Sequence, residues 1–147
     1  MTFYCEATKI LIFHTIYHLT FGGAVIIGKD YVLKDKRSIF IDSKAKIGKN
    51  VIIYENNRID GETVIEDNVT IFPNCYIVDS VIEKGAKIYS SVVLNSKIGK
   101  CSSIAPFCNI KKSIIDSRVK IGSFCEIKNG HIESGKVIVS GSNFQIK

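Results

Sequence analysis

The stretch IGKNVIIYENNRIDGETVIEDNVTIFPNCY (residues 47–76) divides into five blocks of six, each opening with isoleucine. A helix repeats near 3.6 residues and a strand at 2, so a period of six suits short extended segments joined by corners. Fixed short periods mark solenoids, and hexapeptide repeats mark parallel β-helices in particular.

The opening residue recurs at Ile41, Ile47, Ile53, Ile59, Ile65, Ile71 and Ile77 without a slip. It continues at Ile82, Ile88, Leu94, Ile98, Ile104, Ile110, Ile115, Ile121, Ile127, Ile132 and Ile138. The slips are five-residue blocks at 77–82, 110–115 and 127–132 and a four-residue block at 94–98, which predicts a tightened corner there. Four positions after most openers stands a smaller residue: Ala45, Val51, Thr63, Val69, Cys75, Val81, Ala86, Val92, Ser102, Cys108, Val119 and Cys125. One large aliphatic and one small residue per block fit a narrow triangular prism. Asn57 breaks the small-residue rule and is expected to stack or be solvated at a corner. Gly, Asp, Asn and Ser between the two positions accept positive φ or bond their own backbone. Three hexads per turn give about six coils between residue 41 and about residue 144. An antiparallel sandwich predicts turns of varying spacing, which this register does not show.

At 147 residues the chain is one domain whose core runs along an axis. Residues 1–22 hold no six-period and predict a short apolar N-terminal helix; 23–40 form an entry segment and 41–147 the β-helix. Polar His14, Thr15 and His18 interrupt the apolar N-terminal run, which argues against a signal peptide or a membrane span. His14 and His18 are spaced as helical metal ligands but have no carboxylate neighbour, so no metal is expected. The net charge of +6 comes from scattered lysines on solvated faces, a pattern that fits small anionic ligands and not nucleic acid. Cys75, Cys108 and Cys125 fall at the small inward position and are expected to be buried, reduced and unreactive. Cys101 lies in a turn and Cys5 near the terminus; a reducing cytoplasm suits such unpaired thiols.

Four strings occur in order: GAVIIGKDYVLKD (23–35), KIGKNVII (46–53), SSIAPFCNIKKS (102–113) and VKIGSFCEIKN (119–129). Together they resemble the bifunctional UDP-N-acetylglucosamine pyrophosphorylase/glucosamine-1-phosphate N-acetyltransferase family, whose β-helical half carries "GPFA" followed by an arginine and then "IGNFVEIKK". The resemblance runs from about residue 23 to 138. It implies an all-β fold, a left-handed parallel β-helix, whose crossovers are an exception to the right-handed rule. It also implies a homotrimer, acetyl-CoA as cofactor, and a sugar phosphate or UDP-sugar as ligand. Nothing in the chain resembles the family's nucleotidyltransferase half, and the resemblance makes the N-terminal helix of residues 1–22 linker-like.

Carried over residue by residue, the resemblance places Lys111 at the arginine that binds the sugar phosphate, keeping the charge but losing the bidentate fork. Lys128 matches the lysine of "EIKK". Ser140 stands where the family has its general-base histidine, and Asn143 where it has a tyrosine. His131 is nearby, but the register sets it at the small position of the preceding coil, facing elsewhere. The family's later coils, which supply acetyl-CoA contacts, have no counterpart before Lys147. Positioned general bases typically contribute about 10²–10⁴-fold, and serine is no base near neutral pH without a partner. Three functions follow as expectations: a hexosamine-1-phosphate acetyltransferase with a relocated base; a non-catalytic trimerising or sugar-phosphate-binding β-helix module or fragment; or an acyltransferase with another substrate. The residues favour weak binding with little or no acetyl transfer.

Overall fold

The computed structural model describes residues 31–145. The expected N-terminal helix and Cys5 lie outside those residues. Among the described residues, twenty strands of two or three residues follow one another around a triangular prism and form three parallel sheets. Sheet 1 has seven strands, from Val32–Leu33 to Val137–Ile138, and sheet 2 has seven, from Phe40–Ile41 to Asn143–Gln145. Sheet 3 has six, from Lys46–Ile47 to His131–Ile132. Each strand pairs with the strands one coil before and after it, as a six-period with three corners per coil requires. No helix among the described residues is long and apolar enough to cross a membrane.

Parallel pairing in strict register stacks like positions into columns. Ile47, Ile65 and Ile82 are successive Cα partners in sheet 3, as the hexad count predicts. Ile53, Ile71, Ile88, Ile104, Ile121 and Ile138 form the matching column in sheet 1. Nearly all inward aliphatics are completely buried, and each such side chain contributes about 1.5–3 kcal/mol. Parallel sheets covered on their inner face select β-branched residues, which explains the preference for isoleucine over leucine.

The register around residue 94 departs from hexad counting. Val93, not Leu94, is the inward residue: Val93 pairs with Ile77 and Ile110 and is fully buried, whereas Leu94 lies on the outer surface beside Val78 and Lys111. The blocks are therefore 88–93 and 93–98, both of five residues, and no four-residue corner exists. Nor are Val81 and Val92 the small inward residues. In five-residue blocks that place falls one position earlier, on Ser80, Ser91, Ser96, Ser113 and Gly130, all buried. The shortened corner is closed by hydroxyls. Ser80, Ser96 and Ser113 each donate to the carbonyl two residues back at 2.7 Å. Each also accepts the N–H of the next coil's corner, from Ser96, Ser113 and Gly130 respectively, at 3.1 Å.

Asn57 belongs to the interior. It is 2% exposed, donates to Tyr54 O at 2.8 Å and accepts the Cys75 N–H at 2.7 Å. Its amide does the work of the serines, so no polar atom is left orphaned there. Cys75, Cys108 and Cys125 are buried below it; the Cys75 thiol donates to Phe72 O in its own turn, and those of Cys108 and Cys125 donate to Gly122 O and Val139 O of the next coil. Burial pushes the Cys75 thiol up to about 11, away from the reactive thiolate. Cys101 is exposed at a corner.

Corners turn through the left-handed region, and Asn50, Asn56, Asn68, Asn74, Asn95 and Asn129 occupy it with φ between 48° and 64°. Asparagine tolerates that conformation because its short amide bonds the local backbone.

The corrected register is tested by a pair of adjacent substitutions. Val93→Asp places an unpaired carboxylate in the prism interior and is expected to abolish cooperative folding. Leu94→Asp changes unfolding free energy in urea by less than about 1 kcal/mol, as for surface substitutions. The opposite ranking restores the four-residue corner.

Candidate functional site

The outer surface of sheet 2 changes character along the axis. Two outward columns flank its buried one. The first runs Arg58, Tyr76, Val92, Asn109, Glu126, Asn143, and the second Asp60, Val78, Leu94, Lys111, Lys128, Gln145. Its upper half is mostly apolar, with the Arg58–Asp60 pair at 2.7 Å above it. The lower half is polar throughout.

Lys111 and Lys128 are direct Cα partners, so one coil's spacing, about 4.8 Å, separates their backbones. Two ammonium groups held on adjacent rungs repel each other, and Glu126 relieves that repulsion. Its Oε1 lies 2.6 Å from Lys128 Nζ. The hydrogen bond and charge of Lys128, with Lys111 adding a smaller attraction, hold the Glu126 carboxyl below the ordinary carboxylate range. Asn143 is the Cα partner of Glu126 on the next coil. The structure thus brings Lys111, Lys128 and Asn143 onto one face of one sheet.

Ser140 and His131 are not on that face. Ser140 sits in the corner leading into the Asn143 strand, where its Oγ accepts the Ser123 N–H at 3.0 Å. It is a corner-closing group packed against Gly122, where an added Cβ would come within 2.5 Å of its Oγ. His131 does not occupy the small position, which belongs to Gly130. Its ring projects from the outer surface of sheet 3, where Nε2 lies 3.0 Å from Asp116 Oδ2. The corner at Asn129–Gly130 separates it from Lys128.

Two members of the lower face were not among the sequence candidates. Glu126 neutralises part of the lysine charge. Asn109, one coil above it, has a buried Oδ1 with no hydrogen-bond partner among the described residues. Such an atom costs about 1–3 kcal/mol unless something satisfies it. The column position, two residues before a lysine in both APFCNIK and GSFCEIK, is the signal that would have found both. No group of three or more His, Cys, Asp and Glu side chains among the described residues is placed to hold a metal ion.

Chemically, the face offers two ammonium groups, amides and a carboxylate over about two coils. That set suits a phosphate with polar substituents.

Comparison with known proteins follows the same stretch. Residues 73–145 match the family model described as GlmU-like, C-terminal hexapeptide. The chain is 39% identical over 104 residues to the bifunctional protein GlmU of Clostridium novyi (strain NT), an overlap of 70% of this chain and 23% of that protein. It is 42% identical over 101 residues to the bifunctional protein GlmU of Clostridium kluyveri (strain NBRC 12016), covering 68% of this chain and 22% of that one. The chain therefore spans less than a quarter of the length of these curated relatives. Among solved structures, the acetyltransferase domain of PglB from Neisseria gonorrhoeae FA1090 in complex with acetyl coenzyme A aligns with a TM-score of 0.70 at 17% identity. That alignment covers 76% of this chain and 55% of the other and is a likeness of fold, a left-handed parallel β-helix of hexapeptide repeats.

Because Glu126 competes for Lys128, removing its charge exposes the ammonium. Glu126→Gln is expected to tighten binding of inorganic phosphate about two- to fivefold, the scale of an exposed ion pair. The Glu126 carboxyl is depressed in the folded chain, so the pair persists above the ordinary carboxylate range and opens as pH falls through the lowered value. Titration calorimetry with phosphate at neutral pH reads the effect. Unchanged or weaker binding removes Glu126 from the site.

Proposed function

We propose that this chain, whose residues 73–145 match the GlmU-like, C-terminal hexapeptide family model, binds a hexosamine phosphate or UDP-sugar on the lower face of sheet 2. The observation that carries the reading is the stacking of Lys111 on Lys128 with Asn143 one column away. Charge recognises the phosphate, and Asn143 and Asn109 supply amides for sugar hydroxyls. Lysine in place of the family's arginine makes the contact a point charge, so binding is weak and salt-sensitive.

Acetyl-CoA is the cofactor the resemblance implies, and the described face does not fit its chemistry well. An amine acceptor needs a base, but Ser140 Oγ is committed to the Ser123 N–H and His131 faces outward from another sheet. The reading is therefore of a transferase-like scaffold with weak or absent acetyl transfer on this face. The alternative, a non-catalytic assembling module, uses the same face for binding. A homotrimer is part of both readings, supported by apolar side chains exposed on separate faces, Tyr76 on sheet 2 and Ile114 on sheet 3. A reducing, cytoplasmic setting accords with the four unpaired cysteines among the described residues.

Calorimetric titration with a hexosamine 1-phosphate tests the reading. Binding is expected to weaken with added salt and to fall about tenfold on Lys128→Ala, as for loss of a hydrogen bond to a charged group. Equal affinity for parent and Lys128→Ala overturns it.

A further inference from the structure

A second feature of the prism lies on sheet 1, around the corner from the lysine face. Tyr54, Phe72 and Tyr89 occupy one outward column, fixed by the backbone bonds from each to the following coil. Their rings stack face to face, Tyr54 on Phe72 at 5.2 Å and 7°, Phe72 on Tyr89 at 3.9 Å and 9°. The upper end of this ladder is capped by a cation, with Lys34 Nζ 5.7 Å from the Tyr54 centroid. Its lower end is not capped in that way. The next two rungs below Tyr89 are Ala105 and Gly122, which extend no more than a methyl group above the sheet.

The two coils that lack a large side chain there carry unusual ones at their flanks. Phe107 and Phe124, at the corner between sheets 1 and 2 on those same coils, are 64% and 68% exposed and stack on each other at 5.2 Å. Both hold positive φ, 64° and 59°, in a column where neighbouring coils use asparagine, serine or glycine. Bulky side chains in the left-handed region are costly, and two large exposed aromatics side by side mark a contact surface. On the other flank, two residues along each strand, stand Lys87, Ser103 and Lys120. Among the described residues neither lysine has a carboxylate partner, unlike Lys97 and Lys128. The notch therefore has an aromatic face at its end, an aromatic edge along one side and positive charge along the other.

We propose that this notch binds a nucleoside phosphate, its base stacked on the free face of Tyr89 above Ala105 and its phosphate at Lys87 and Lys120. A ring in that place adds one rung to the ladder, at a spacing the two existing stacks already show. Outward columns two residues apart on a strand are separated by roughly 6–7 Å, a span that a ribose covers between base and phosphate. A free phosphate meets only the lysines, and an uncharged aromatic only the rings. The nucleoside phosphate uses both. The site is distinct from Lys111 and Lys128, so it stands or falls apart from the reading of sheet 2.

The test is calorimetry with four probes: UMP, AMP, uridine and ribose 5-phosphate. At least one nucleotide is expected to bind about tenfold tighter than ribose 5-phosphate, the scale of one base stacked on an aromatic side chain. A preference for UMP over AMP, or the reverse, identifies which kind of nucleotide the notch serves. Ala105→Tyr builds the missing rung into the protein and should reduce the nucleotide to the affinity of ribose 5-phosphate. Tyr89→Leu should do the same by removing the platform, and it decides the matter if the first variant folds poorly. Every titration is run in a Lys111→Ala/Lys128→Ala background, which takes the phosphate contact of sheet 2 out of the signal, and Lys120→Ala added to it should bring the favoured nucleotide close to uridine. Nucleotides that bind no better than ribose 5-phosphate, or equally well to Ala105→Tyr and Tyr89→Leu, overturn the proposal.

Discussion

The structure depends on the backbone ladder that ties each coil to the next in strict parallel register. Every strand finds its hydrogen bonds in strands about one coil away, with partners such as Tyr54 N–H to Ile71 O and Glu66 N–H to Ile82 O. Once that register is set, side chains have no freedom of address: inward positions stack into an isoleucine core, and outward positions form columns. Ile53, Ile71, Ile88, Ile104, Ile121 and Ile138 follow at intervals of 18, 17, 16, 17 and 17 residues. The backbone absorbs those changes of length at its corners without breaking the columns. A column can therefore hold chemistry as well as packing, because a residue type repeated at one position becomes a line of like groups about 4.8 Å apart.

Much of the fold was legible for that reason. An opener every sixth residue means three corners per coil, and the isoleucines named by counting are buried almost without exception. Leu94, the one leucine among the counted openers, shows where counting stops. Val93 and Leu94 are adjacent aliphatics, and nothing in their own chemistry says which one faces in. What decides is the serine two or three residues to either side, since Ser91 and Ser96 close five-residue corners by donating to carbonyls two residues back at 2.6 and 2.7 Å. Hexad counting assumes six and carries the remainder into the next block, so it placed a four-residue corner where two five-residue ones stand. The same oversight exchanged Gly130 and His131.

The candidate site was legible only in part. Lys111 and Lys128 are seventeen positions apart in the chain, and their meeting follows from the coil length as well as from the resemblance. Glu126 was not foreseen, because a carboxylate beside a lysine proposed to bind phosphate makes no sense until the two ammonium groups are seen on neighbouring rungs. Nor does the sequence say that Ser140 Oγ is taken by the Ser123 N–H; that contact exists only because Gly122 lets the two coils approach. The aromatic column was hidden for a related reason. Tyr54, Phe72 and Tyr89 lie eighteen and seventeen positions apart in the chain, and their stacking appears only when successive coils are superposed.

The central claim is that register, by stacking Lys111 on Lys128, turns two ordinary surface lysines into one anion site. A double-mutant cycle measures this directly, with Lys111→Ala, Lys128→Ala and the double variant each titrated with a hexosamine 1-phosphate. If both ammonium groups hold one phosphate, the losses are coupled: the double variant binds at least about fivefold tighter than the product of the two single effects predicts, a coupling of about 1 kcal/mol. Strictly additive losses would mean that the two lysines act independently, and the account of the site would be wrong.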